Sequence, residues 1–523
     1  MRNATRSTDG RIATPHRLAT EAGADVLARG GSAVDACIAA NAVLTVVAPD
    51  QTAIGGDCLL MVHDARDGST TGLNGSGRSP RAADREALLA AGWTGMPVRG
   101  IHAVTVPGTI DAWFAANERW GRLEMVDLLR PAIDLARDGF PLSRTLALSF
   151  QETLAPAEPW TADLWPIFAP SGVVPTEGDT LRLPDLAATL DLIATDGRGA
   201  FYDGPIADAF LATSDRLGGA FTRDDLVDHR AEAVVPVATA YRDITVLELP
   251  PNCQGITASL GLNMIERERL GEWGSGDHLH PLIEAKKLAF AVRDARIADP
   301  GFADIDVDRL VSKRFARSLW RDYDPAVAGL GQPSNTGDTV YLCAVDRDGN
   351  AASMIQSLYL SFGSGVVVDG TGIVLQCRGA SFNLDPVHPN RLEGGKRPMH
   401  TLMPGMLLQG ERLWGPFGTQ GGDAQAQIHL QLVTNLVDFG MDPAAAIDAP
   451  RWVAGGALAD DPRRVWVEGR MPPASVEALT ARGHLVGIGP DWDPHAGHAA
   501  MILRDPDGTL IGAADPRTDG VVA

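Results

Sequence analysis

The sequence predicts a globular protein of mixed α and β structure. Alanine-rich stretches with helical spacing occur beside short apolar runs rich in β-branched residues. The strand signals become denser after Thr339. With 45% hydrophobic and 21% charged residues, the chain has an ordinary globular composition, and 523 residues can bury a large core.

Taken in order, Pro15–Val47 has helical spacing and high alanine content. Cys58–His63 reads as a strand, and Asp64–Gly77 is rich in turn residues. Met125–Ala136 and Leu186–Ala194 read as helices. Pro156–Thr180 is proline-rich and holds two tryptophans, so an ordered loop is expected. His280–Asp294 is a helical stretch. A Gly/Pro/Ser/Asn-rich linker follows at Gly329–Gly337. Val340–Val345 and Ala351–Leu360 are apolar and β-rich, joined by D-R-D-G-N at Asp346–Asn350, where Gly349 can take a positive φ. Leu430–Val437 reads as a buried helix. No internal repeat or low-complexity block is present.

A net charge of −21 argues against nucleic acid as a partner, because binding it needs basic patches. The five cysteines are scattered and odd in number, which argues against a disulfide framework. The longest mostly apolar run, Ala36–Ala48, is too short to span a bilayer. No apolar stretch follows the basic residues of M-R-N-A-T-R-S-T-D-G. A soluble cytoplasmic protein without membrane partners is expected.

The segment G-D-T-V-Y-L-C-A-V-D at Gly337–Asp346 places a threonine between a flexible linker and a buried-looking strand. A threonine with a free α-amine carries its own general base and can act as a nucleophile. If the hairpin loop is Arg347–Gly349, Asp346 faces Asn350 and Thr339 falls opposite Ser357. Cross-strand partners lie about 5 Å apart on one face. A two-residue loop would instead put Ser357 opposite Val340, on the wrong face. On the hairpin alone, Thr339 also reads as an ordinary strand threonine.

Asp277, His278 and His280 (D-H-L-H) and Asp491, Asp493, His495 and His498 (D-W-D-P-H-A-G-H) are ligand-type residues. Their spacing completes no metal signature, so no metal is assigned. There is no P-loop or dinucleotide-binding fingerprint, and no cofactor is implied.

Several motifs in fixed order carry a resemblance. They are G-G-S-A-V-D-A at Gly30–Ala36, A-P-D-Q-T-A-I-G-G-D at Ala48–Asp57, V-P-G at Val106–Gly108 and G-F-P at Gly139–Pro141. F-Y-D-G at Phe201–Gly204 and E-L-P-P-N-C-Q-G at Glu248–Gly255 follow. K-R-P-M-H-T at Lys396–Thr401, G-T-Q-G-G at Gly418–Gly422, A-P-R at Ala449–Arg451 and A-D-P-R at Ala514–Arg517 complete the set. Together with Gly337–Asp346 they resemble the γ-glutamyltransferase family nearly end to end. The resemblance implies an α+β fold, a four-layer αββα sandwich of the N-terminal-nucleophile hydrolase type. It implies self-cleavage between Asp338 and Thr339, giving fragments 1–338 and 339–523 that together form one structural domain. Thr339 would be the nucleophile, Ser357 the hydroxyl that orients it, and Gly421 and Gly422 the oxyanion donors.

The glutamyl-recognition positions depart from the family. Ser76 stands where an arginine is usual, and Tyr359 where an asparagine is. Arg378 and Ser381 replace a glutamine and an aspartate, and His400 and Thr401 replace a serine pair. An aspartate able to pair with an ammonium is gone, and an arginine able to grip a carboxylate stands nearby. In this the chain resembles the oxamate amidohydrolase branch. The expectation is hydrolysis of a small amide of a carboxylic acid through an acyl-enzyme. Alternatives are a γ-glutamyl hydrolase or transpeptidase acting on glutathione-like donors, and a catalytically silent scaffold.

Overall fold

The computed structural model describes residues 5–331, 337–455, 461 and 464–523. The middle of the Gly329–Gly337 linker, residues 332–336, lies outside them.

Two seven-stranded antiparallel sheets make the centre. The first runs Val521–Val522, Arg11–Thr14, Asp338–Val345, Ala351–Tyr359, Asp57–Asp64, Ser69–Asn74 and Glu232–Val234. The second runs Thr5–Ser7, Leu510–Ala514, Ala499–Arg504, Arg412–Thr419, Gly405–Gln409, Ile244–Glu248 and Val237–Tyr241. The strand Asp338–Val345 shows how the layers arise. Side chains alternate along a strand. Tyr341, Cys343 and Val345 pack between the sheets with Leu247, Met406, Ala500 and Ile502. Val340, Leu342 and Ala344 face a second core with Ala36, Ala40 and Val43 of the helix Ala33–Val47. On the far side, Leu407, Phe417, Met501 and Leu503 pack against the helices Gly255–Ile265, Gly276–Arg296 and Ala424–Val437. The order is helix, sheet, sheet, helix: the expected αββα sandwich.

Every residue of Ala33–Val47 is buried, which explains its apolar sequence. Its Asn41 Oδ1 accepts from Trp113 Nε1 at 2.9 Å. The helical stretch expected over Pro15–Val47 is two helices, Arg17–Ala28 and Ala33–Val47. Gly30, at φ +88°, ends the first, and a reciprocal Ser32–Asp35 cap starts the second. The turn-rich Asp64–Gly77 holds a strand, Ser69–Asn74, paired on both sides. Pro156–Thr180 is ordered, with a short helix Trp165–Phe168 whose Phe168 packs on Phe150 and Phe362. Met125–Asp138, Pro184–Asp196, Gly276–Arg296 and Ala424–Val437 extend the expected helices by a few residues to whole turns. Among the described residues, no helix is long and apolar enough to cross a membrane.

The sheets meet without slack at Gly418, where an added Cβ would lie 2.3 Å from the Tyr341 ring. Tyr341 cannot withdraw cheaply, because its hydroxyl is bonded to Ser353 Oγ at 2.8 Å. Gly418→Ala is expected to destabilise the fold by about 1–3 kcal/mol, read as a lowered unfolding midpoint in urea.

Candidate active site

The site begins at the far end of the hairpin. Asp346 N donates to Asn350 O at 2.9 Å, and Gly349 N donates back to Asp346 O at 3.0 Å. The Asp346 carboxylate accepts from the backbone N of Asp348 and Asn350 and from Asn350 Nδ2. This fixes the three-residue loop and the register. Val345 pairs Ala351, Val340 pairs Gln356, and Thr339 pairs Ser357. Beyond Thr339 the register shifts, so that Asp338 faces Tyr359 and Leu358 is the extra residue. Tyr359, at φ +81°, completes the irregularity.

The bulge gathers three oxygens. Thr339 Oγ1 donates to Ser357 Oγ at 3.0 Å, and Ser357 Oγ donates to the Asp338 carbonyl at 2.6 Å. Tyr359 N donates to Ser357 Oγ at 2.7 Å and holds that hydroxyl in place. One hydroxyl therefore links Thr339 to the carbonyl immediately before it. Such a bridge can take a proton from the threonine and polarise the carbonyl it would attack.

Gly421 and Gly422 lie between the strand Arg412–Thr419 and the helix Ala424–Val437, with φ of +129° and +56°. Only glycine holds this backbone without strain. The chain just before Asp338 runs close over them: a Cβ at Gly337 would meet Gly422 Cα at 3.3 Å and Tyr359 O at 2.8 Å. Gly421 and Asp338 share a cavity of about 640 Å³ with Asp50, Arg99, Glu152 and His495. Burial pushes the Asp50 carboxyl up to about 6. Burial and the nearby Asp50 push Asp338 up to about 7. Asp493, bonded to His495 Nδ1 at 2.8 Å, raises the His495 imidazole above its ordinary value.

Three of the residues expected to recognise substrate, Tyr359, Ser381 and Thr401, surround Arg378. Arg378 is 1% exposed, and its guanidinium lies 3.7 Å from the centre of the Tyr359 ring. Its Nη1 donates to Ser381 Oγ and its Nη2 to Thr401 Oγ1, both at 2.9 Å, while Nε has no partner. Among the described residues, the guanidinium's hydrogen-bond partners are these two hydroxyls, and Asp57 and Asp423 act on it only from beyond pairing distance. His400 Nε2 meets Asp57 Oδ2 at 3.0 Å, and burial, with the Arg378 charge, lowers its pKa to about 4. Ser76 is held one step further off, through Asn74 and Asn252. Sequence reasoning did not single out Asn252 and Gln254, although both lie in the P-P-N-C-Q-G motif, where their side chains tie loops together.

The ligand-type motifs do not assemble as written. Asp277 pairs with Arg482, His278 Nδ1 accepts from Gly274 N, and Asp493 pairs with His495. Among the described residues, His280, Glu284 and His484 could surround an ion. Lys287 Nζ stands 2.7 Å from Glu284 and already supplies a positive charge there. The group thus fits a metal poorly.

The raised Asp50 pKa gives a stability prediction with a definite sign. The folded state holds its proton more tightly than the unfolded state, so the contribution is full at low pH. It is lost as pH rises through about 6. Asp50→Asn should flatten the fall in unfolding temperature that Asp50 contributes between about pH 4 and 7. The check is the difference between variant and parent melting temperatures across that range.

Comparison with known proteins shows the family. The family model Gamma-glutamyltranspeptidase matches residues 19–523. The glutathione hydrolase-like YwrD proenzyme of Bacillus subtilis is 41% identical over 515 residues, 97% of each chain. The oxamate amidohydrolase proenzyme of Klebsiella pneumoniae is 36% identical over 532 residues, 100% of each. The crystal structure of cephalosporin acylase from Bacillus halodurans superposes with a TM-score of 0.94 at 39% identity, covering 100% of this chain and 97% of that one. The chain belongs to the gamma-glutamyltranspeptidase family of N-terminal-nucleophile hydrolases.

Proposed function

We propose that the chain cleaves itself before Thr339 and then hydrolyses a small amide of a carboxylic acid, of the oxamate kind, through an acyl-threonine intermediate. The observation that carries the reading is the hydroxyl bridge Thr339–Ser357–Asp338 carbonyl beside a buried arginine with no carboxylate partner. In the intact chain Thr339 Oγ attacks the Asp338 carbonyl carbon, Ser357 relays the proton, and the amide becomes an ester that water cleaves. The freed α-amine, with an ordinary pKa of about 7.7–8.0, then serves as base near neutral pH. Gly421 and Gly422 hold the oxyanion, and Arg378 grips the acyl carboxylate. Fragments 1–338 and 339–523 would remain one domain, because each sheet draws strands from both. The five cysteines are buried and free, which suits a reducing compartment and supports a cytoplasmic location.

A second reading, γ-glutamyl hydrolysis, is favoured by the 41% identity to a relative named glutathione hydrolase-like. Against it, Ser381 offers no charge to an ammonium, and Arg378 would repel one. The intact hydroxyl bridge argues against a silent scaffold.

Intact-mass analysis is expected to show fragments 1–338 and 339–523, and a single chain for Thr339→Ala. Full-length wild-type protein that is nevertheless active would overturn the mechanism. Loss of a charge-assisted pair costs about 2–5 kcal/mol, so Arg378→Gln should lower kcat/KM for oxamate by roughly thirtyfold or more. Measured beside a γ-glutamyl anilide, a wild-type preference for the anilide would replace the first reading with the second.

A further inference from the structure

The P-P-N-C-Q-G turn places Gln254, fully buried, at the start of the helix Gly255–Ile265. Its Nε2 donates to two backbone carbonyls, Thr401 O at 2.8 Å and Gly422 O at 3.1 Å. Its Oε1 accepts from Arg293 Nη1 at 2.9 Å, and its backbone N donates to His400 O at 2.8 Å. The amide cannot be turned round. A guanidinium only donates, so the oxygen must face Arg293 and the NH₂ group must face the carbonyls. Arg293 is itself fixed: Nη1 reaches Asp423 Oδ1 at 2.5 Å, Nε reaches Asp294 Oδ1 at 2.8 Å, and the guanidinium lies 4.0 Å from the centre of the Phe290 ring.

The two carbonyls belong to different parts of the site. Thr401 carries the hydroxyl that holds Arg378. Gly422 carries one of the glycines beside the scissile peptide, in a left-handed conformation that its own helix does not dictate. We infer that Gln254, oriented by Arg293, is a positioning residue that locks the Gly421–Gly422 turn to the Thr401 loop, so that oxyanion donors and carboxylate grip keep one fixed separation. The inference rests on the reading of these glycines as oxyanion donors. It goes beyond that reading in assigning the separation to one amide from the other side of the cleavage point. Glutamate cannot replace it, because a carboxylate would set an oxygen against two carbonyl oxygens. A mismatch of about 1 Å at a reacting centre can cost on the order of a hundredfold in rate.

The test uses the full chain and counts active sites by titration. Gln254→Glu keeps size and the Arg293 contact but removes both donors. It is expected to lower kcat per titrated site on oxamate roughly tenfold to a hundredfold. Affinity for a small alkyl boronic acid, which forms a tetrahedral adduct with the nucleophilic hydroxyl, should fall by a similar factor. A merely structural role would lower the melting temperature and the yield of sites and leave both readouts per site unchanged. Folded but uncleaved protein is also an expected outcome, since self-cleavage uses the same turn. Arg293→Met, which frees the amide to rotate, should act in the same direction. Wild-type kcat and boronate affinity in Gln254→Glu, with Gly422→Val inactive, would overturn this inference alone. Wild-type kcat in Gly422→Val would overturn the oxyanion reading itself. If Gln254→Glu does not fold, Arg293→Met decides, and wild-type kcat there overturns the inference. Failure of both variants to fold does so too, since the pair would then be a determinant of folding.

Discussion

The site depends on the register of one hairpin. Asp346 closes a three-residue turn with its backbone and both carboxylate oxygens, and Thr339 lies seven residues away along the strand. At strand rise this is about 23 Å. A slip of one residue at the turn would send Thr339 to the opposite face, away from Ser357. The turn is tied in from outside as well, because Ala33 N donates to Asp346 Oδ2 at 3.3 Å. The helix Ala33–Val47, buried on all sides, thus begins on the residue that sets the register. The pairing holds only as far as Thr339. The bulge then turns the Asp338 carbonyl onto Ser357, which regular pairing would not do.

Around this hairpin, buried side-chain amides tie the loops together. Asn252 accepts from Asn74 and donates to Ser76 and to Pro398 O, while Gln254 joins Thr401, Gly422 and Arg293. Amides suit the task because each offers donors and an acceptor at fixed angles without a charge to desolvate. Arg378, by contrast with the paired Arg293, has hydroxyls and a ring face as its contacts. An unpaired buried cation costs stability. On the proposed reading, the substrate carboxylate supplies the partner.

The fold was legible wherever pattern and period agreed. The hairpin, the long helices and the strand at Asp57–Asp64 follow from local sequence, because the turn residues and apolar runs allow few alternatives. The pairing of Thr339 with Ser357 was legible as one of two registers, and the Asp346 bonds decide between them. The stacking of two sheets was not readable from pattern: in strands buried on both faces, such as Asp57–Asp64, polar alternation disappears. It came instead from the order of motifs. Ser69–Asn74 was missed because its Ser, Thr, Gly and Asn residues carry turn chemistry, and neighbours on both sides impose the strand. The contacts among Arg378, Tyr359, Ser381 and Thr401 join residues up to 42 positions apart, so only the resemblance could group them.

Gly337 lies against Tyr359 and Gly422, and Arg378 is buried under the Tyr359 ring. Gly337 and Asp338 both line the neighbouring cavity, where acidic and basic groups stand together. The Gly337–Asp338 segment thus lines this cavity and also lies against Tyr359, whose ring covers the buried Arg378. On the proposed reading, cutting the Asp338–Thr339 peptide does two things with one bond. It frees the base on Thr339, and it turns Asp338 into a chain end with a second carboxylate beside Asp50 and Glu152. The new charge then joins a lining of both signs, with Asp50 and Glu152 on one hand and Arg99 and His495 on the other. On that reading, displacing Gly337 would expose the Tyr359 ring that lies on Arg378.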